Sequence, residues 1–293
     1  IFDDIADSFD YKNKYAIIEY IQELRKHRNV RTIILTHNFD FYRTISSRLS
    51  LNREHNVFLA TKDPVTRVVK LKQGQFLYNL LLNWIKNPNN KRLLAMLPFV
   101  RNLIEYIQGE NSVDYLLLTS CLHNIKREDP KLRITKTVLV DEVRVIYQTT
   151  LPTITNIESV WINGDQPWID MLVTEARNVS EELDNGQLDE ISLENKIVLA
   201  MTIRLIAEAF MEKKLLEHGA PPVSGNNRFG KLFDSFGSHN LGNESEYAIL
   251  NRVSLMTPEQ IHMNSFMYEP LVDMSIRSLK TLYMDVCKWN ISL

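Results

Sequence analysis

The sequence predicts an α/β segment over residues 1–72 followed by a mostly α-helical domain over residues 73–293. Two observations predict the first part: "RTIILTH" (31–37) is a short apolar run rich in β-branched residues, and it follows a segment with helical periodicity. A third observation predicts the second part, because from about residue 76 long helical stretches alternate with turn-like separators such as "NPNN" and "NGDQP".

The composition excludes several classes of protein. The 293 residues are 44% hydrophobic and 24% charged with a net charge of -2, so the chain as a whole has no basic footprint for nucleic acid, and local basic patches stay open as a route to RNA or DNA. Two cysteines, Cys121 and Cys287, cannot form a disulfide framework and indicate a reducing compartment. No apolar run reaches the roughly 20 residues of a membrane helix, and the start shows no signal peptide. We therefore expect a cytoplasmic protein with no membrane partner.

The α/β segment reads as alternating helices and strands. A helix is predicted over 12–28, the buried strand over 31–37 and a second helix over 39–49. Two further strands, 56–63 and 65–72, are expected to pair antiparallel. The first residues of the chain, in "IFDDIADSFD" (1–10), read as the end of another buried strand. The resulting strand–helix–strand order predicts a right-handed parallel crossover.

Polar residues follow both strands of this crossover. Asp3 and Asp4 end the first strand, and Thr36 and His37 end the second. Ligands of open parallel sheets gather at the carboxyl ends of the strands. One carboxylate could bind Mg²⁺, the next could orient an attacking water, and the imidazole could contact a terminal phosphate.

These residues carry a resemblance to a known family. "IFDDIADSFD" (1–10) resembles the Walker B strand and D-loop of ABC-type ATPases, the class that includes SMC and Rad50-like proteins, and "ILTHNFDFYR" (34–43) resembles their H-loop. The resemblance implies ATP and Mg²⁺ as cofactors. It assigns Asp3 to Mg²⁺ and nucleotide binding, Asp4 to the place of the catalytic Glu, Asp10 to the D-loop, and His37 to the H-loop.

The resemblance also implies an architecture. Residues 1–72 would be the α/β C-terminal part of a P-loop ATPase lobe, and two such lobes would self-associate in the full-length protein. The Walker A loop and ABC signature would lie upstream of residue 1, so the chain alone is not expected to hydrolyse ATP. "GNNRFGKL" (225–232) has P-loop spacing, but Leu232 replaces the Ser or Thr and no strand precedes it, so we expect a loop entering a helix at 228–236.

One helix of the second part is predicted to be buried. "LENKIVLAMTIRLIAEAFMEKKLLEHG" (193–219) is apolar nearly all round, and between Ile197 and Met211 its charged residues are Arg204 and Glu208, which share one face. Buried charges are costly unless paired. Two interpretations stay open: a structural ion pair within a bundle, or an active-site pair.

An ATPase end followed by a helical domain is similar to the anticodon-nuclease-like ATPases of bacteria, in which an ABC-type ATPase controls a HEPN-like ribonuclease. That resemblance implies a phage-defence or toxin-like protein acting on RNA or DNA. Arg204 and Glu208 would be nuclease residues, with His239 or His262 as the third group. Base, acid and cation are the groups that metal-free RNA cleavage needs. The chain departs from the usual HEPN pattern, because no His follows Arg204 by five to seven residues.

Two other functions stay open. An SMC- or Rad50-like ATPase would act on DNA, with the helical part as a regulatory platform. Alternatively, the helical domain would be a non-catalytic module that binds a partner protein. An Arg204→Ala variant with loss of toxicity and intact ATPase activity would favour the nuclease.

Overall fold

A computed structural model divides the chain into two units, Ile1–Tyr78 and Asn79–Leu293. The residues that it describes are 1–5, 11–27, 29–36, 38–62, 67–73, 80–123, 137–186, 192–223, 228–256, 271, 274–291 and 293.

The described part of the first unit contains two small sheets and three helices. β1 pairs parallel with β2, and β3 pairs antiparallel with β4. In chain order the elements are β1 (Phe2–Asp3), α1 (Tyr11–Arg25), β2 (Ile34–Leu35), α2 (Phe39–Arg48), α3 (Arg53–Asn56), β3 (Phe58–Lys62) and β4 (Val69–Gln73).

The first unit has a small core of its own. α1 contributes Ile18 and Ile21, and α2 contributes Phe41 and Ile45, all of which are buried. Side chains three to four residues apart lie on one face of a helix, so each helix presents one apolar stripe to the other. The partly buried Phe2 and Ile34 of the parallel strands pack against this core.

The predicted fold class is wrong. The described residues are mostly helical, 67% helix and 5% strand with two minimal sheets, and they do not form an α/β P-loop lobe. Within the described residues 31–36, the strand paired with β1 comprises Ile34 and Leu35, while Ile33 and Leu35 are 56% and 49% exposed. Strands of a parallel α/β sheet are buried on both faces. β-branched composition favours a strand where neighbouring strands and covering helices exist, and the described residues supply few of them.

Several local predictions for this unit are confirmed. α1 and α2 form close to the predicted ranges 12–28 and 39–49. β1 and β2, which precede and follow α1 in the chain, pair with each other in parallel, as the strand–helix–strand order predicts. The antiparallel pairing of β3 with β4 has the register Phe58↔Gln73 to Lys62↔Val69.

The second unit is built from helices. The long helix predicted over 193–219 is observed at Leu193–Glu217, and the helix expected at 228–236 after the P-loop-like segment is observed at Arg228–Ser238. The helices are α4 (Leu80–Lys86), α5 (Asn90–Gln108), α6 (Val113–Leu122), α7 (Val140–Thr150), α8 (Ile157–Val160), α9 (Trp168–Asp184), α10 (Leu193–Glu217), α11 (Arg228–Ser238), α12 (Glu244–Met256) and α13 (Ile276–Cys287).

α10 forms the centre of the second unit. It packs against α5, α9, α11, α12 and α13, and every residue from Asn195 to Glu212 is buried. A helix surrounded on all sides has no solvent face on which to place polar residues. The predicted burial is therefore confirmed, and the charges on α10 must be neutralised inside the bundle.

An aromatic corner lies beside α7 and α9. Trp161 packs between Tyr147 and Trp168, with ring centroids 5.4 and 5.8 Å away respectively. Leu139 and Pro167 form an isolated antiparallel bridge, and the Trp168 amide donates to the Val138 carbonyl at 2.9 Å. These contacts fix the loop between α8 and α9 against the start of α7.

Within the described ranges, no helix combines the length and the apolar character that crossing a membrane requires.

Candidate functional site

The first candidate site is the end of the parallel strand pair. Asp3 is paired with Leu35 in register, and the Asp4 amide donates to the Leu35 carbonyl at 3.0 Å. β1 therefore ends beside the end of β2, where Thr36 follows. This register brings Asp3, Asp4 and Thr36 to the same edge of the strand pair, whereas His37, the imidazole of the predicted group, lies outside the described residues.

The backbone at this edge has an unusual conformation. Asp4 has a φ of 45°, in the left-handed region that non-glycine residues seldom occupy. Asp and Asn tolerate this region best among such residues, because their short side chains can hydrogen-bond locally. Such backbone conformations often occur at functional sites. Asp3 is exposed and Asp4 is partly buried, so both can be approached from solvent.

The neighbouring loop is held by side-chain caps. The Asn38 amide donates to Thr36 Oγ1 at 3.1 Å, and Asn38 Oδ1 accepts from the Phe41 amide at 2.9 Å. Asn38 is thus the N-cap of α2. Asp10 and His37, which the resemblance assigns to the D-loop and H-loop, lie outside the described residues.

The donor chemistry at this edge fits Mg²⁺. Mg²⁺ prefers oxygen ligands and is commonly bound by one or two carboxylates together with waters and substrate phosphates. Asp3 and Asp4 provide two carboxylates at adjacent positions. Among the described residues, no group of three or more His, Cys, Asp or Glu is placed to hold a metal ion, so a metal at this edge would also need ligands from water or a nucleotide.

The second candidate site is a buried charged cluster around Glu208 of α10. Arg204 Nε donates to Glu208 Oε1 at 3.2 Å, which confirms that the two α10 charges meet. His123, at the C-terminal end of α6, places Nδ1 2.9 Å from the same oxygen. A carboxylate only accepts hydrogen bonds, so this nitrogen carries the proton.

Two more residues complete the cluster. Arg228, the first residue of α11, places Nε 4.0 Å from Glu208 Oε2, and its Nη2 donates to Glu212 Oε1 at 3.0 Å. The guanidinium carbon of Arg204 lies 5.5 Å from the centroid of the Phe229 ring. Arg204 Nη1 is buried and makes no hydrogen bond to the described residues.

Burial determines the protonation of His123. Its side chain is 7% exposed, and burial lowers its pKa because the charged form loses hydration. Contact with Glu208 opposes this shift, whereas the positive charges of Arg204 and Arg228 reinforce it. His123 is therefore a neutral hydrogen-bond donor at neutral pH.

Among the described residues, opposite charges in the cluster are matched. Two guanidinium groups contact two carboxylates beside a neutral imidazole, and the Glu208 side chain is 0% exposed. An electrically balanced, hydrogen-bonded group of this kind is how a protein interior tolerates ions. In this conformation the cluster joins three helices, α6, α10 and α11, and Glu208 has no surface that a polynucleotide could touch.

The structure places the other predicted nuclease residues elsewhere. His239 is exposed after α11, and its Nδ1 donates to the Ser235 carbonyl at 2.8 Å. Its ring lies 5.6 Å from that of His218, and it makes no hydrogen bond to Arg204 or Glu208 among the described residues. His262 is outside the described residues. The structure therefore brings together Arg204 and Glu208 and places His239 apart from them.

Sequence reasoning missed three members of the cluster: His123, Glu212 and Arg228. His123 follows the apolar stretch "YLLLTSCL", and a His at the end of such a helix is a weak signal in the sequence. It lies 85 residues from Glu208 along the chain, so no local spacing links the two. Glu212 continues the Arg204–Glu208 face by one further turn, a signal that could have been used.

Comparisons of the chain with protein families, with curated proteins and with solved structures gave no match.

Proposed function

We propose that Asp3 and Asp4 form part of a Mg²⁺·ATP site and that the protein carrying this chain is an ATP-dependent enzyme. One observation carries the proposal: the parallel pairing of β1 with β2 brings the ends of the two strands, with Asp3, Asp4 and Thr36, to one edge. The likeness of "IFDDIADSFD" to a Walker B strand supports it. The proposed site lies at the end of the β1–β2 pair and requires no strands besides these two.

The two acids would have different roles. Asp3 would bind the Mg²⁺ that accompanies the nucleotide, and Asp4 would orient a water toward the terminal phosphate. Mg²⁺ bound to ATP supplies charge neutralisation on the phosphate oxygens. Both roles need an ionised carboxylate and an open approach from solvent, and the exposure of Asp3 and Asp4 provides that approach.

Binding of a fluorescent ATP analogue to the full natural polypeptide tests this proposal. We expect Mg²⁺-dependent binding that Asp3→Asn weakens about tenfold or more, because a direct charge contact to the metal is lost. Asp4→Asn should retain ATP binding, since Asn also tolerates a positive φ. It should lose hydrolysis, because the carboxylate proposed to orient the water is removed. Glu23→Gln, which changes an exposed acid of α1, is the matched control.

Two outcomes would reject the proposal. One is the absence of Mg²⁺-dependent ATP binding by the wild-type polypeptide. The other is binding and hydrolysis by both Asp variants at the level of Glu23→Gln.

A second candidate function, a metal-independent ribonuclease in the helical unit, is supported by one observation. Arg204, Glu208 and His123 meet at one oxygen, and they supply the cation and the two proton-transfer groups that RNA cleavage uses. Because Glu208 is 0% exposed, this candidate requires the cluster to open toward its substrate.

RNA cleavage by the full polypeptide tests the candidate. If the cluster is catalytic, Arg204→Lys should fold normally and lose cleavage by about a hundredfold or more. Arg252→Ala, which removes a surface arginine paired with Asp285, should cleave like the wild type. If the wild type leaves RNA intact, or if Arg204→Lys cleaves as well as Arg252→Ala, the cluster is not catalytic.

A further inference from the structure

A cavity of about 210 Å³ lies in the second unit, beside the aromatic corner. Side chains from four parts of the fold line it: the start of α5, the start of α7, the end of α8 with the loop that follows it, and α9. The lining residues are Asn90, Val140, Val160, Trp161, Ile162, Asn163, Gln166, Met171, Thr174 and Glu175.

The walls of this cavity are fixed by contacts within the fold. The Val140 amide donates to the Gln166 carbonyl at 3.0 Å, which joins α7 to the loop before α9. Trp161 is 1% exposed and held between the rings of Tyr147 and Trp168. A preformed cavity loses little conformational entropy on binding a ligand.

The cavity also has an open side. Ile162 is 76% exposed, and Asn163 and Thr174 are exposed as well. At about 30 Å³ per water, the volume would hold roughly seven waters. It is smaller than the roughly 300–1,000 Å³ of pockets for drug-sized ligands, so it suits a head group or a small ion rather than a whole nucleotide.

The described lining of the cavity carries a negative charge. Of its ten residues, Glu175 is the sole ionisable one. Glu175 Oε1 accepts from Asn90 Nδ2 at 2.9 Å, which orients the carboxylate, and the described residues give Oε2 no partner. The same hydrogen bond leaves Asn90 Oδ1 as a buried acceptor without a donor among the described residues.

We propose that this cavity binds a small organic cation, of the guanidinium or alkylammonium type, with Glu175 as its counter-ion. The cation would donate to Glu175 Oε2 and to the amide oxygen of Asn163 or Gln166, while its carbon atoms contact Val160 and Met171. An anion such as a phosphate finds no basic group in the described lining. The cation could be a free amine or the side chain of an arginine in a peptide.

The indole N–H signal of Trp161 in NMR spectra provides a reporter within the cavity. Methylguanidinium at millimolar concentration should shift this signal saturably in the wild type. Urea, which has a similar shape and no charge, should leave it unchanged. Glu175→Gln should weaken binding about tenfold or more, whereas Glu182→Gln, two turns further along α9 and paired with Lys91, should bind like the wild type.

A second variant covers the case in which Glu175→Gln disturbs the fold. Thr174→Phe places a large side chain at the exposed edge of the cavity, keeps the carboxylate, and should abolish the shift. An arginine-containing tetrapeptide that binds more tightly than methylguanidinium would identify a protein side chain as the source. The proposal fails if methylguanidinium gives no saturable shift, if urea shifts the signal equally, or if Glu175→Gln binds as well as Glu182→Gln.

Discussion

Replacing Glu208 by Gln should destabilise the second unit strongly. Gln keeps the volume and removes the negative charge, so Arg204 and Arg228 would face one carboxylate instead of two. Removing one partner of a buried ion pair costs about 3–5 kcal/mol, because the remaining charge stays buried and uncompensated. The Glu208 side chain is 0% exposed and accepts from both Arg204 and His123, so water cannot replace the lost interaction.

The expected change in melting temperature is large. For domains of this size, 1 kcal/mol corresponds to about 2–4 °C, so Glu208→Gln should lower the midpoint by roughly 6–20 °C. Urea unfolding followed by circular dichroism should show the same loss in the free energy of unfolding. Glu158→Gln is the matched control, since this exposed acid bonds to Gln148, and surface changes stay within about 0.5 kcal/mol.

A double variant that removes both charges of the Arg204–Glu208 pair tests the same prediction. Arg204→Met combined with Glu208→Leu leaves the Arg228–Glu212 pair intact. Replacing a buried ion pair by apolar residues of similar volume is often neutral or stabilising, so the double variant should be more stable than Glu208→Gln alone. If Glu208→Gln is as stable as Glu158→Gln, our account of the cluster is wrong.

Three further predictions concern single residues. His123 has a lowered pKa in the folded state, so the unfolded state binds a proton at this side chain more readily. The free energy of unfolding should therefore decrease as the pH drops below about 6.5, by up to about 1.4 kcal/mol per pH unit. Urea titrations at several pH values should show this slope, and His123→Gln should flatten it. Gly242→Ala would place a Cβ 2.6 Å from Phe236 Cε1, which is fully buried, and should cost about 1–3 kcal/mol in thermal unfolding; Gly237→Ala meets nothing within 4 Å and should be neutral or stabilising. The Cys121 thiol is buried with its pKa raised well above its usual value, so it should resist Ellman's reagent until the unit unfolds, and rapid labelling under native conditions would contradict its burial.

The helices were predictable because their signals are local. The apolar run of α10 predicted its burial, and the four-residue spacing of Arg204 and Glu208 predicted their contact. Both follow from the period of the helix. His123 and Arg228 were not predictable in the same way, because tertiary packing of α6 and α11 against α10 brings them to Glu208.

The parallel direction of the β1–β2 pair was predicted, whereas the shortness and exposure of its strands were not. The order of β1, α1 and β2 predicted a parallel pair, and the register Asp3↔Leu35 agrees. The same β-branched run suggested a buried strand of a large sheet, yet Ile33 and Leu35 are largely exposed. The composition of a segment indicates that it favours a strand, whereas the length of the strand that forms depends on which neighbouring segments offer backbone hydrogen bonds.

The position of α10 has a consequence for how the second unit unfolds. A helix packed against five others cannot detach without exposing most of the core, so α10 should lose its order only when the whole unit unfolds. Its amide hydrogens should therefore exchange with deuterium through global unfolding, at the free energy of the whole unit. The surface helix α12 and the ends of α4 should exchange earlier. Limited proteolysis should correspondingly yield no stable fragment that lacks α10, which makes the helical unit one cooperative block rather than a chain of separable hairpins.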